Sequence, residues 1–466
     1  PLTVSSITLS MPGNPVPGLS SDERLDDASS TAPVPSNGNG RHALGNSYNP
    51  SVPHDPATSG STDENIDARA EFKRKKYRLQ RTAGSVLGSD SRVFGCMTVV
   101  KNKNGTVAVE RTKHGDGSCE HSYYSGLWAC GSVWTCPICA AKKAAERAQE
   151  IAHTVKVMER RGYVPVHIVY TIQHNINDSL SDLMKDHRAA MTYMRSGAAG
   201  VRFHKQFGGK LGRVEYIRAV EVRCGGQGWH PHTHELLFID PDRLDVDAIQ
   251  ETILQRYGGW LERHGYLVNE HTVEVTSQAD TDKVLSDYLT KVSLELELTR
   301  NEEKLSASSL SPFQLLSEYE RTGNKYFAHR FREYAEATKG KPMHRWSRGL
   351  RDIIKAEPEP EVDTEAADDG GSTVECLAVF TVPQWLRILK KDKRADVLNV
   401  ADANGPVILE RWLRINGIVY ENELAEFRKR KRLQPAMDRL DALRNLGKGS
   451  HSPEPDPEPV QMAMGV

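Results

Sequence analysis

The stretch that decides the fold is Gly228-Trp-His-Pro-His-Thr-His-Glu-Leu-Leu-Phe-Ile-Asp240. A Gly-rich turn, CGGQG (224–228), opens into an apolar run that carries His232 and His234 two residues apart. In a strand, side chains alternate faces with period 2, so both imidazoles point to one side of a sheet. The run before the turn, GRVEYIRAVEVR (212–223), has the same strand character, so the two read as an antiparallel hairpin. Glu221 in that preceding strand is the nearest carboxylate. Two imidazoles and a carboxylate on one face suit a single divalent cation with open positions, Mg²⁺ or Mn²⁺ if a phosphate completes the shell, although imidazole also suits zinc. His230 has the same parity, but Pro231 bends the chain between them, which ranks it below the pair. The bland alternative is two satisfied histidines at a strand end.

Outward from the hairpin, strands are expected at 164–174 and 269–277, and helices at 140–161, 179–197, 246–265 and 282–297. Runs of both types with a hairpin at the centre give an α+β fold with a central antiparallel sheet and flanking helices. Neither a GxGxxG nor a Walker A loop occurs. In the last helix Tyr288 and Lys291 lie three apart, hence on one face. A tyrosine hydroxyl with a free pKa of about 10 is a weak nucleophile unless a cation and a bound phosphate assist it. Alone, Tyr288 reads as a core aromatic.

A second cluster precedes the sheet. CEHSYYSGLWACGSVWTCPICAAKK (119–143) spaces Cys119, Cys130, Cys136 and Cys139 as C-x10-C-x5-C-x2-C. A CxxC turn opening a helix, with Lys142 and Lys143 just beyond it, favours thiolates directed at one point, and four soft ligands suit tetrahedral zinc. His114 or His121 could replace Cys119 as fourth ligand, and a redox CxxC or plain buried thiols are the competing readings. Cys96, Cys224 and Cys376 read as ordinary buried thiols. Seven cysteines, four of them within 21 residues, do not resemble a disulfide framework.

The 466 residues exceed one compact domain. The expected order is a disordered leader (1–67), a basic segment and zinc-binding knuckle (68–161), a catalytic domain (162–355), an acidic linker (356–375), a small α/β accessory unit (376–427), and a basic helix with a loose tail (428–466). The stretch 68–81, ARAEFKRKKYRLQR, reads either as a solvated helix face or as an arm on phosphates. The net charge of −1 hides an uneven distribution. From Arg69 to Lys355 there are 44 Lys and Arg against 34 Asp and Glu, a surplus of ten that the flanks offset. A basic middle suits a polyanion. Mean hydropathy is −0.55, no run nears the roughly 18 apolar residues of a membrane span, and no secretory signal is readable, so a cytoplasmic location without membrane partners is expected.

Taken together, HPHTHELLF (230–238), YLTK (288–291) and VYTIQHN (169–175) resemble the motifs of HUH endonucleases, in particular rolling-circle replication initiator (Rep) proteins of plasmids. A cysteine block similar to CGSVWTCPICAAKKAAERA precedes these motifs in Rep proteins of actinobacterial-type plasmids, and ELTR, SPFQLL and HRWSRGLRDI are similar to the same subgroup. The resemblance covers roughly 90–355. It implies an HUH-type sheet and a site-specific nickase acting at a double-strand origin. Tyr288 would form a 5′-phosphotyrosyl link and free a 3′-OH primer, and Lys291 would position the metal or the phosphate. His232, His234 and Glu221 would hold Mg²⁺ or Mn²⁺, and structural Zn²⁺ would sit in the cysteine knuckle. Lys142, Lys143 and Arg223 would contact DNA, and a host helicase with the replication machinery would be partners. Thr233 stands where the family has a bulky residue. Val284 stands where some relatives have a glutamate for termination, so no residue is assigned to that step. A transposase or mobilisation relaxase would share the same core, and a non-catalytic zinc-dependent DNA-binding regulator is the alternative from another class.

Overall fold

The computed structural model describes residues 63–101, 104–113, 121–276, 284, 285, 288, 309–356 and 373–446. Most of the expected leader, nearly all of the acidic linker and the end of the chain lie outside these residues. The fold is α+β with antiparallel sheets.

The central sheet has the order β6-β3-β5-β4-β7, built from Val164–Thr171 (β3), Glu215–Gly225 (β4), Gly228–Ile239 (β5), Val273–Thr276 (β6) and Ser309–Leu310 (β7). A short edge strand, β8 (His344–Trp346), also pairs with β4. The β4–β5 hairpin forms as its turn chemistry dictates. Gly228 has φ +92°, and an added Cβ would come within 2.7 Å of the Asn175 carbonyl oxygen, so only glycine serves there. β5 is paired on both edges, and other elements pack on both faces of the sheet, so its side chains are buried on each.

One face carries Ile217 and Ala219 of β4 with Leu236 and Phe238 of β5. They pack against Ile151, Val155 and Met158 of α2 (Pro137–Arg160), and Tyr288 and Leu350, the latter at the start of α8 (Leu350–Ala356), join the same cluster. The other face carries Val166, Ile168, Leu237 and Ile239 against α3 (Leu180–Met194), α4 (Gly197–Phe207) and α5 (Val246–Arg263). Helices α6 (Pro312–Thr322) and α7 (Lys325–Thr338), which no expected element covered, complete that core through Phe313, Leu316 and Phe331. α6 starts with a complete capping box at Ser311 and Gln314, a signal that was present in the sequence. Of the helix expected at 282–297, Val284, Leu285 and Tyr288 are described, and all are helical.

The accessory region does not begin at the linker. Its strand β9 (Thr373–Thr381) pairs along its length with β1 (Thr106–Lys113), and β2 (Tyr123–Ser125) completes a three-stranded sheet. Helices α9 (Val382–Lys390), α10 (Arg394–Ile415) and α11 (Leu424–Leu446) cover it through Trp385, Leu398, Leu409 and Phe427. α11 runs through the expected boundary at 427 because Leu424 and Phe427 are buried at its start. The long basic helix α1 (Asp63–Leu87) starts inside the span read as leader. Four of its cations pair with acids of other elements: Lys73 with Asp402, Arg74 with Asp396, Arg78 with Glu320 and Arg81 with Asp392. That segment is therefore a packing element tied to α10 and α6, which neither reading of it from sequence described. No helix among the described residues is long and apolar enough to cross a membrane.

Candidate metal centres

In the β4–β5 ladder Glu221 stands directly opposite His232, and Ala219 opposite His234. The register brings all three functional side chains to one face. Both imidazoles aim Nε2 at the same carboxylate oxygen, Oε2 of Glu221, at 3.3 Å from His232 and 2.9 Å from His234. The ligand atoms lie within 4.8 Å of one another, which fits a donor set for one ion. Burial disfavours the charge on Glu221, but hydrogen bonds from the two histidines outweigh it and hold its carboxyl well below the usual range. Arg223, expected to contact DNA, is half-buried and engaged inside the protein. It reaches Oε1 of Glu221 at 3.2 Å and donates to the hydroxyl and carbonyl of Ser309 at 3.0 Å each. It positions the carboxylate.

A residue not singled out from the sequence completes this face. His167 of β3 is buried, stacks on His234 with ring centroids 5.5 Å apart, and places Nε2 3.3 Å from its Nδ1. That contact fixes which His234 nitrogen faces Glu221. The signal was there in VPVHIVY, a histidine inside an apolar strand, but strand pairing was needed to put it beside His234. His230 stacks on His174 (4.6 Å) and meets His232 edge-on (4.4 Å), outside the triad.

Tyr288 lies on the same face. Its ring meets His167 edge-on at 5.6 Å, and its hydroxyl is fully buried with no hydrogen-bond partner among the described residues. Burial, reinforced by the charge of Glu235, pushes its pKa further above the ordinary tyrosine value. Lys291 lies outside the described residues.

Thr233 and Glu235 point to the opposite face. Thr233 Oγ1 donates to His187 Nε2 at 2.7 Å, His187 Nδ1 donates to the Tyr257 hydroxyl at 2.6 Å, and Tyr257 donates to the Thr171 carbonyl at 2.8 Å. This closed relay accounts for threonine at 233: a hydroxyl is required where the resemblance expects bulk. Burial first, and then the nearby cationic groups, lower the His187 pKa to about 3. Glu235 accepts from Arg195 (2.7 Å), Arg218 (2.5 Å) and Tyr170 (2.6 Å). Burial raises its pKa, but the two guanidiniums win and keep it ionised.

The thiol cluster consists of Cys96, Cys130, Cys136 and Cys139, all buried. Their sulfurs stand 3.6 Å apart for Cys96–Cys139, 3.7 Å for Cys130–Cys139 and 3.5 Å for Cys96–Cys136. A tetrahedron of thiolates about 2.3 Å from zinc has edges of about 3.8 Å, so this donor set fits. Cys96 therefore replaces the expectation that it is an ordinary buried thiol, while Cys119 and His114 lie outside the described residues. His121 is engaged elsewhere, 3.4 Å from Asp402. Cys96 is recruited by backbone pairing that no local motif reports. Met97 N–H donates to the Trp128 carbonyl and Trp128 N–H to the Val99 carbonyl, both at 2.8 Å, and this zips the Cys96 segment to the Cys130 segment. Cys136 caps α2 and Cys139 sits in its first turn, with Pro137 at N1. Lys142 and Lys143 are exposed on this helix, and Lys143 pairs with Glu146 at 2.5 Å.

Comparison with known proteins finds no matching family model and no matching solved structure. The chain is similar to "Protein rep" of Streptomyces lividans, 26% identical over 344 aligned residues that span 57% of this chain and 73% of that protein. It is also similar to "Neomycin resistance protein" of Streptomyces cyanogenus, 33% identical over 135 residues, 24% of this chain and 31% of that one.

Proposed function

We propose that the protein is a plasmid replication initiator that nicks one DNA strand at a double-strand origin through Tyr288. The observation that carries this reading is the convergence of His232 and His234 on one oxygen of Glu221, on the sheet face that also holds Tyr288. Similarity to a Streptomyces Rep protein supports the role in replication.

The chemistry would be a transesterification. The Tyr288 oxygen forms a bond to phosphorus, the bond to the 3′ oxygen breaks, and the phenolic proton ends on that 3′ oxygen. The product is a 5′-phosphotyrosyl link with a free 3′-OH able to prime synthesis. Because phosphodiester energy is kept in the link, rejoining needs no ATP, and unwinding falls to a host helicase. A divalent cation, Mg²⁺ or Mn²⁺, held by the triad would neutralise charge developing on the phosphate. Arg223 and His167 keep the Glu221 carboxylate and the His234 ring oriented for that task. The buried hydroxyl of Tyr288 would have to be uncovered for attack. Lys291, three residues on, would orient the phosphate. The four thiols would hold Zn²⁺ in a closed site, stabilising the base of α2 without taking part in the reaction.

The test is incubation of supercoiled plasmid carrying the gene with the protein and Mn²⁺ or Mg²⁺, comparing wild type with Tyr288→Phe. Open circles with protein attached to a DNA 5′ end, absent in the variant, are expected. Metal-dependent nicking that survives the substitution would assign the wrong nucleophile. Binding without any nick would favour a regulator instead.

A further inference from the structure

On the sheet face away from the histidine triad, at the β4–β8 edge, lies a cavity of about 90 Å³. That space admits several waters and is enough for a phosphate group. Four cationic side chains line it from three elements: Arg188 of α3, Arg218 of β4, and Lys341 and Arg345 before and within β8. Met184 and Met343 supply an apolar wall, and no carboxylate among the described residues lines it. Glu235, behind Arg218, is already shared between two guanidiniums and leaves a net positive charge.

Arg218 is deeply buried, and its second terminal nitrogen, Nη2, has no hydrogen-bond partner among the described residues. Lys341 has its pKa lowered by desolvation and then by Arg188, which shows two cations held close together. The Lys341 loop is held in place, because the indole of Trp134, in the cysteine block, donates to the Lys341 carbonyl at 2.7 Å. Like charges gathered without a counterion destabilise a fold, and an unpartnered buried guanidinium nitrogen adds to that cost.

We propose that this cavity seats a backbone phosphate of DNA, on the opposite face of the sheet from the strand to be cut. The proposal rests on the reading above only for the identity of the polyanion. Arg188 and Arg345 are exposed at the mouth and would meet the phosphate from solvent, while Arg218 and Lys341 would receive it within. Such a contact fixes register on the nucleic acid and carries no sequence information.

The experiment is fluorescence anisotropy of a labelled duplex on the full chain, without divalent metal, across a salt series. Each phosphate contact contributes about −0.9 to the slope of log Kobs against log salt. Arg345→Gln and Lys341→Gln should each weaken binding several-fold at low salt and make the slope shallower by about one, with thermal stability unchanged or raised. An unchanged slope and affinity would overturn the proposal. So would inorganic phosphate binding wild type at micromolar concentration without competing against the duplex, because the cavity would then be a free-anion site. Nicking is scored separately on wild type with Mn²⁺. A chain that never nicks but shows the slope change retains the seat and loses the nickase reading, and the reverse result does the opposite.

Discussion

The thiol cluster and the histidine–carboxylate cluster differ in what surrounds them. The four sulfurs face one another, and backbone N–H groups of Cys130 and Ser132 donate to Cys96 and Cys130 at 3.4 Å each. That arrangement leaves no position for a substrate. The triad offers three ligand groups among the described residues, two imidazoles that meet one carboxylate oxygen, beside a tyrosine hydroxyl with no partner among those residues. Four ligands complete a tetrahedral shell, whereas three leave room for a reacting group. Burial alone therefore does not separate a scaffold site from a chemical one; the number of donors and the presence of an unsatisfied neighbour do.

The sharpest way to break this comparison is at Cys96. Apparent zinc binding energies of about 10–16 kcal/mol in zinc-finger peptides exceed the stability of most domains. Cys96→Ser should therefore abolish stoichiometric zinc and unfold the region around α2, whereas Cys119→Ser should keep the metal. Elemental analysis and thermal melting of both variants decide it. Next in size is Glu235→Ala, which would strand two buried guanidiniums and cost about 3–5 kcal/mol, read as a lower denaturant midpoint. His187 gives an effect that is absent at neutral pH and grows as pH falls. Its folded pKa of about 3 lies below the unfolded value of about 6.5, so the folded state binds its proton less readily. Stability from this group is complete above pH 6.5 and falls as pH drops toward 3, by about 1.4 kcal/mol per unit within that window. His187→Gln should flatten the acid limb of the midpoint-versus-pH curve.

Two further variants probe the open cluster. Mn²⁺ at a hundred times its dissociation constant should stabilise wild type by about 2.7 kcal/mol, and Glu221→Ala should erase that gain while leaving the zinc content intact. The smallest effect is expected of Tyr288→Phe. Removing a buried hydroxyl that has no partner among the described residues should leave stability unchanged or raise it by about 1 kcal/mol, in contrast to the complete loss of nicking expected in the cleavage assay.

Much of this was legible in the sequence because period and turn chemistry are local. The HPHTH strand, its hairpin with β4 and the helices at α2, α3 and α5 follow from alternation, capping and a glycine turn. The CxxC pair was readable for the same reason. What stayed hidden depended on pairing at long range. Cys96 reaches its cluster through backbone bonds to 126–128, and His167 reaches His234 across a strand pair although the two stand 67 positions apart in sequence. The charges of α1 looked available for phosphates because their acidic partners lie as far away as Asp396 and Asp402. Thr233 looked like a departure until the His187 relay gave its hydroxyl a role.

The pairing of β1 with β9 also has a consequence in time. Thr112 and Val374 are ladder partners with about 260 residues between them, so the central domain is threaded as an insertion through the accessory sheet. During synthesis at about 5–20 residues per second, β1 waits roughly 13–50 s for its partner. Over that interval its apolar residues Val107 and Val109, fully buried in the finished sheet, have nothing to cover them from β9. Ending the chain at the acidic linker would make that wait permanent and leave an open strand edge where aggregation can start.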